Sequence, residues 1–205
     1  MNTYFISDLH LGHKNAIVLD DRPFDSIEQM DETLIRNWNS VVKPEDHIWI
    51  LGDLAWKSWN KSEFLLKQLK GKKHLIAGNH DKVQNTQPNY FATVNEAKEI
   101  TVFIGEVKYK VVMSHYPIPW YNGHRHPNRI HLYGHVHLTQ EFLYVMDTRK
   151  RLMEDPKIQS YGKMFNIGAV MPYMNYTPQS LESIIKNGTI FNEKWDKGYY
   201  RDSLI

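Results

Sequence analysis

The chain of 205 residues reads as an α/β protein. Short apolar runs of strand length recur along it, and segments with helical apolar spacing separate the early ones. Each run stops at a polar residue or a glycine, the order expected where ligands gather at the carboxyl ends of strands.

The runs 4–6 (YFI), 48–51 (IWIL), 74–77 (HLIA), 110–113 (KVVM) and 131–133 (HLY) are rich in β-branched and aromatic residues and predict strands. Residues 31–42 (DETLIRNWNSVV) place Leu34, Ile35, Trp38 and Val41 on one helical face, and 62–69 (SEFLLKQL) repeats that pattern before Gly71. Segments 100–104 and 107–113 flank Gly105-Glu106 and predict a hairpin, with it a second sheet. Farther along, 141–145 (EFLYV) predicts a strand, Arg149-Lys150-Arg151 a solvated turn and 165–170 another strand. Thr177-Pro178 is expected to cap a helix whose Leu181, Ile184 and Ile185 face inward before Gly188.

Composition bounds the function. With 41% hydrophobic and 23% charged residues the chain can bury one substantial core, so a single domain over residues 1–205 is expected. Lys and Arg number 25 against 23 Asp and Glu, too even a balance to favour long nucleic acid or an anionic membrane. The absence of cysteine excludes disulfides and thiolate ligands, leaving oxygen and imidazole donors that suit Mn, Fe, Zn, Ni or Mg. Met1-Asn2-Thr3 leads into the first strand with no basic flank or cleavage site, and no apolar run reaches the ~18 residues of a membrane span. The expected location is the cytoplasm.

Five predicted strands run into chemistry-bearing residues: Asp8-Leu9-His10, Gly52-Asp53, Gly78-Asn79-His80-Asp81, Ser114-His115 and Gly134-His135-Val136-His137. If the strand continues, Asp8 and His10 point the same way while Leu9 is buried opposite. His135 and His137 share that spacing, ~6.5 Å along a strand, which suits two metals ~3.5–4 Å apart. Spacing leaves open which histidine serves which ion.

In this order the motifs resemble the full signature of the calcineurin-like metallophosphoesterases, over residues 4–170. The resemblance implies a two-layer β-sandwich flanked by helices, a four-layer α/β/β/α arrangement, carrying two divalent ions, with manganese the first expectation. It implies Asp8, His10 and His137 on one metal, Asn79, His115 and His135 on the other, and Asp53 bridging both. A bridging anion offsets the repulsion between close cations, and two carboxylates against two divalent ions leave a positive surplus for a phosphate. His80 resembles the family's catalytic histidine, a general acid or stabiliser of a phosphate oxygen, and Asp81 is expected to hold it charged. Water activated by the ions would attack phosphorus in line.

Gly12-His13-Lys14-Asn15 and Asp21-Arg22-Pro23-Phe24 are similar to a compact branch of that superfamily, so His13 and Arg22 either bind a substrate phosphate or serve turns and caps. Trp56 and Trp59 are expected in the core, and residues 116–129 form a rigid, basic, aromatic rim loop. His47, His74 and His131 are expected to be structural. The expected activity is hydrolysis of a small soluble phosphodiester, a nucleotide included. The alternatives are a nuclease or cyclic-nucleotide phosphodiesterase reading bases with the rim loop, and a non-catalytic interaction protein retaining the fold. Proteins of the last kind usually lose ligands, and all are present here.

Overall fold

The computed structural model describes residues 1–56, 59–81 and 90–200. The chain enters through strand β1 (Thr3–Ile6), a short helix α1 (Asn15–Leu19) and helix α2 (Ile27–Val41). Helix α2 begins one turn earlier than its apolar pattern suggests, because the Ser26 side chain accepts from the Gln29 N–H and caps it. Its face of Met30, Leu34 and Trp38 is buried. Strand β2 (His47–Ile50), helix α3 (Trp59–Lys67), β3 (Lys72–Ile76) and β4 (Thr93–Asn95) follow. The Trp59 side chain lies outside the described residues.

The hairpin forms as expected from β5 (Ala97–Ile104) and β6 (Val107–Ser114), paired from Ala97↔Ser114 to Ile104↔Val107. Next come β7 (Arg129–Tyr133), helix α4 (Gln140–Glu154), β8 (Met164–Asn166), β9 (Gln179–Ser180) and helix α5 (Leu181–Asp196). The sheets have orders β4-β3-β2-β1-β9 and β5-β6-β7-β8. Within each, the strands that lead into the motifs run parallel, β1 with β2 and β3, and β6 with β7, so their carboxyl ends meet at one edge. One core spans both sheets, with Phe5, Ile48 and Leu75 from the first and Val111, Ile130 and Phe165 from the second. Two sheets flanked by helices give the layered α/β arrangement expected.

The carboxyl-terminal third departs from expectation. Residues 141–145 are helical, since Phe142, Met146, Arg149 and Leu152 are all buried at helical spacing and a strand would expose half of them. Arg149 is no solvated turn residue: its guanidinium, 3% exposed, grips both Asp196 oxygens at 2.6 Å and ties α4 to α5. The strand expected at 165–170 shortens to β8, while Ser7 still bridges to Gly168. Residues 179–180 pair with β1 instead of opening the last helix, which Ser180 caps and which runs through Gly188 because that glycine packs against the Phe165 ring.

Candidate active site

At the shared edge the ligand-type side chains fall into two groups, Asp8 with His10 and His137, and Asp53 with His115 and His135. Within each, one candidate ligand atom per residue lies within 4.8 Å of the others. His137 Nε2 is 3.4 Å from His10 Nε2 and 3.5 Å from Asp8 Oδ1. In the second group His115 Nε2 is 3.6 Å from Asp53 Oδ2 and 3.0 Å from Asn79 Oδ1. Asp53 Oδ2 also lies 3.9 Å from both His10 and His80, so one carboxylate oxygen faces both groups and the neighbouring imidazole.

The convergence does not come from strand alternation. Asp8 and His10 lie beyond β1, and Asp8 (φ 55°), His10 (54°), Asp53 (50°), His135 (69°) and His137 (40°) all adopt left-handed backbone. That conformation is uncommon for side-chain-bearing residues, with Asp and His among those that tolerate it, and it concentrates at functional sites. It folds each loop sharply so that ligands two apart turn inward together. Gly52 (φ 91°) leads into Asp53 with its Cα against the His115 ring, where a Cβ would sit 2.3 Å from Nδ1. At Gly134 a Cβ would meet Asp8 Oδ2 at 2.4 Å.

The electrostatics suit cations. Burial raises the Asp8 carboxyl, but its hydrogen bond to His137 and the charges of His137, His115 and His10 hold it well below the usual range. Burial lowers His10 to about 3, helped by the charges of Arg22 and His137, leaving its imidazole neutral with a lone pair to offer. Burial works against a charged His137 too, yet hydrogen bonds and charge from Asp20 and Asp8 lift it to about 10. An imidazolium thus stands between two carboxylates, the field a cation would feel. Burial, with the charge of Asp8, raises Asp53. The donors are oxygen and imidazole alone, a set fitting Mn, Fe, Zn, Ni or Mg.

Several expected roles change. Arg22 is engaged within the fold: its buried guanidinium donates to the carbonyls of Leu9 (2.9 Å) and Asp8 (3.0 Å) and pairs with Asp20 at 2.7 Å, bracing the first loop. Asp81 does not face His80. Its carboxylate accepts from the backbone N–H groups of Asp53 (2.7 Å), Leu54 (3.3 Å) and Gly78 (3.0 Å), clamping two loops together, and burial raises it to about 6. His80 instead donates its own N–H to Asp53 Oδ1 at 2.9 Å, and its side chain is 36% exposed.

Trp56 leaves the core for the site, stacking on the buried His13 at 3.7 Å between centroids and lying 4.7 Å from the His80 ring. His13 is committed to that stack, with its ring 5.5 Å from His10. The rim loop is pinned by Ser114 Oγ donating to Tyr116 O and by the Ile118 N–H on His131 Nε2, so His131 is structural. His47 and His74 pair with each other at 2.7 Å, away from the ligand groups. Asp20 escaped the sequence reading. It accepts from His137 Nδ1 at 2.6 Å, and nothing about its place after α1 resembles a ligand motif. The carboxylate two residues before Arg22 was the one available signal.

Residues 1–182 match the Calcineurin-like phosphoesterase superfamily domain. The chain is 31% identical over 185 residues to the uncharacterised protein MJ1445 of Methanocaldococcus jannaschii, covering 89% of each. It is 42% identical over 83 residues to the gene 66 protein of Mycobacterium phage L5, covering 39% of this chain and 40% of that one. The crystal structure of the Aquifex aeolicus protein of unknown function AQ665 superposes with TM-score 0.62 at 27% identity, covering 90% of this chain and 98% of that one. Among the described residues no helix is long and apolar enough to cross a membrane. Motif order, two ligand groups at one sheet edge and a family match over most of its length agree, and the chain belongs to the calcineurin-like superfamily of metal-dependent phosphoesterases.

Proposed function

We propose that this chain hydrolyses a small soluble phosphodiester with two divalent ions, manganese the first candidate, held by Asp8, His10, Asp53, Asn79, His115, His135 and His137. The observation that carries the reading is Asp53 Oδ2, which faces His10 and His115 from opposite groups and His80 between them. Two divalent ions, when bound, lower the pKa of a water and polarise the phosphoryl oxygens. Asp53 supplies the negative charge that keeps two close cations together. Its other oxygen takes the His80 N–H, which fixes the backbone of the acid relative to the ligands.

His80, more exposed than the ligands, is the group that meets the departing ester oxygen, either as general acid or as hydrogen-bond donor. The Trp56 ring lies against its imidazole, 4.7 Å away between centroids. Asp81 acts through the backbone, holding the loops of Asp53 and Asn79 in register. Compact members of the superfamily support a diester by analogy. Tyr116, 49% exposed and edge-on to the rings of His115 and His135, favours a nucleotide-derived diester as the second reading, because it offers a stacking face beside the ligands.

The test is a panel of mono-, di- and cyclic phosphoesters assayed with Mn, Ni, Zn and Mg, with chelator as the blank. Chelator-sensitive preference for bis-p-nitrophenyl phosphate is expected, and preference for the monoester overturns the diester assignment. His80→Asn should keep its metals and lose on the order of 10²–10⁴-fold in kcat. An unchanged rate removes His80 from the chemistry.

A further inference from the structure

We propose that Asp20 is a positioning residue for the metal held by Asp8, His10 and His137, and that it strengthens this ligand group without acting on the other. The inference rests on the binuclear reading of the site. Asp20 lies just past α1, and its Oδ1 accepts the Nδ1 proton of His137 at 2.6 Å. With that proton on Nδ1, Nε2 is the ring atom left to meet an ion, and it faces Asp8 and His10 at 3.5 and 3.4 Å.

Asp20 cannot turn aside. Its Oδ2 accepts from Arg22 Nε at 3.0 Å and Nη2 at 2.7 Å, and the same guanidinium donates to the carbonyls of Asp8 and Leu9. Arg22, Asp20 and His137 thus form a buried unit that grips a ligand's ring and another ligand's backbone at once. In the second group the acceptor on His115 is neutral: its Nδ1 rests on the carbonyl of Leu51 at 2.8 Å. A carboxylate acceptor makes an imidazole a more basic ligand than a carbonyl does, and losing such a partner commonly weakens metal binding 10–100-fold.

The experiment is calorimetric titration of metal-free protein with zinc, for the wild type and Asp20→Asn, with melting of the metal-free forms alongside. Asp20→Asn should weaken one equivalent per chain by about 10–100-fold while the other keeps its constant. A merely structural Asp20 would lower the metal-free melting point and leave both constants unchanged, and that result, or equal weakening of both, overturns the proposal. A wild type taking up a single ion instead overturns the binuclear reading; the effect of Asp20→Asn on that ion still decides the role of Asp20. Should Asp20→Asn fail to fold around an unpaired Arg22, the imidazole ¹H–¹⁵N spectrum of zinc-loaded wild type decides. His137 must carry its proton on Nδ1, and the opposite tautomer overturns the assignment.

Discussion

The two ligand groups are made of the same kinds of side chain and are held by different means. Around Asp8, His10 and His137 the supports are ions: Asp20 on the His137 ring, Arg22 on the carbonyls behind Asp8, and Asp31 on the Gly12 N–H at 3.0 Å. Around Asp53, His115 and His135 the supports meet the ligands through main-chain groups, two of them carboxylates that accept backbone N–H. Leu51 O orients His115, the His135 N–H donates to Asp8, and Asp81 collects three backbone N–H groups. An imidazole held by a buried carboxylate, as His137 is, loosens when that one side chain is altered, whereas an imidazole resting on a carbonyl, as His115 does, loosens when the chain's path changes. The two halves of one centre therefore differ in which substitutions they tolerate.

Asp53 is where the contrast should vanish, since its Oδ2 faces both groups. Asp53→Ala is expected to lose both metal equivalents and on the order of a thousandfold in kcat/KM, the loss of several kcal/mol of charge stabilisation. Retention of one tight equivalent would show the groups to be independent. Gly52→Ala attacks the backbone-held group, because its φ of 91° is strained for alanine and its Cβ would strike His115. It should cost about 1–3 kcal/mol from backbone strain alone and abolish the second equivalent first, read by denaturant melts and metal stoichiometry.

The smallest effect concerns the ion-held group. Burial raises Asp31 to about 6, so the stabilisation it offers is present at low pH, where the carboxyl is neutral in both states, and is lost as pH rises through 6. Asp31→Asn keeps an acceptor for Gly12 and removes the charge. Its stability relative to wild type should therefore improve between pH 4.5 and 7.5 by roughly 1–2 kcal/mol. A constant difference across that range would mean that Asp31 does not titrate with a raised pKa.

What the sequence made legible follows physical lines. Each motif announced itself because a short, largely apolar strand gives way to polar ligands at its carboxyl end, as at Ile6 before Asp8 and Tyr133 before His135. The family resemblance carried by that order implied two ligand groups, an assignment that spacing alone left open. Their supports were not legible: Asp20, Arg22 and Asp81 work through contacts between distant loops, and no spacing rule distinguishes a carboxylate gripping a backbone from one facing an imidazole. Segment 141–145 misled because its four apolar residues in a row fit a buried strand as well as a helix. The decisive inward residue, Arg149, looked polar and therefore exposed. Trp56 misled for the converse reason, an aromatic ring assigned inward that faces the site.

Five left-handed residues among seven candidate ligands have an evolutionary corollary. Each such turn destabilises the fold by about 1–2 kcal/mol relative to ordinary backbone, less for aspartate, and that penalty is present whether or not a cation arrives. Glycine at positions 8, 10, 53, 135 or 137 would relieve it, so a descendant freed from catalysis would drift toward glycine there and grow sturdier as it fell silent. Transplanting the seven side chains onto relaxed loops of another scaffold would reproduce the composition of the centre and miss its shape.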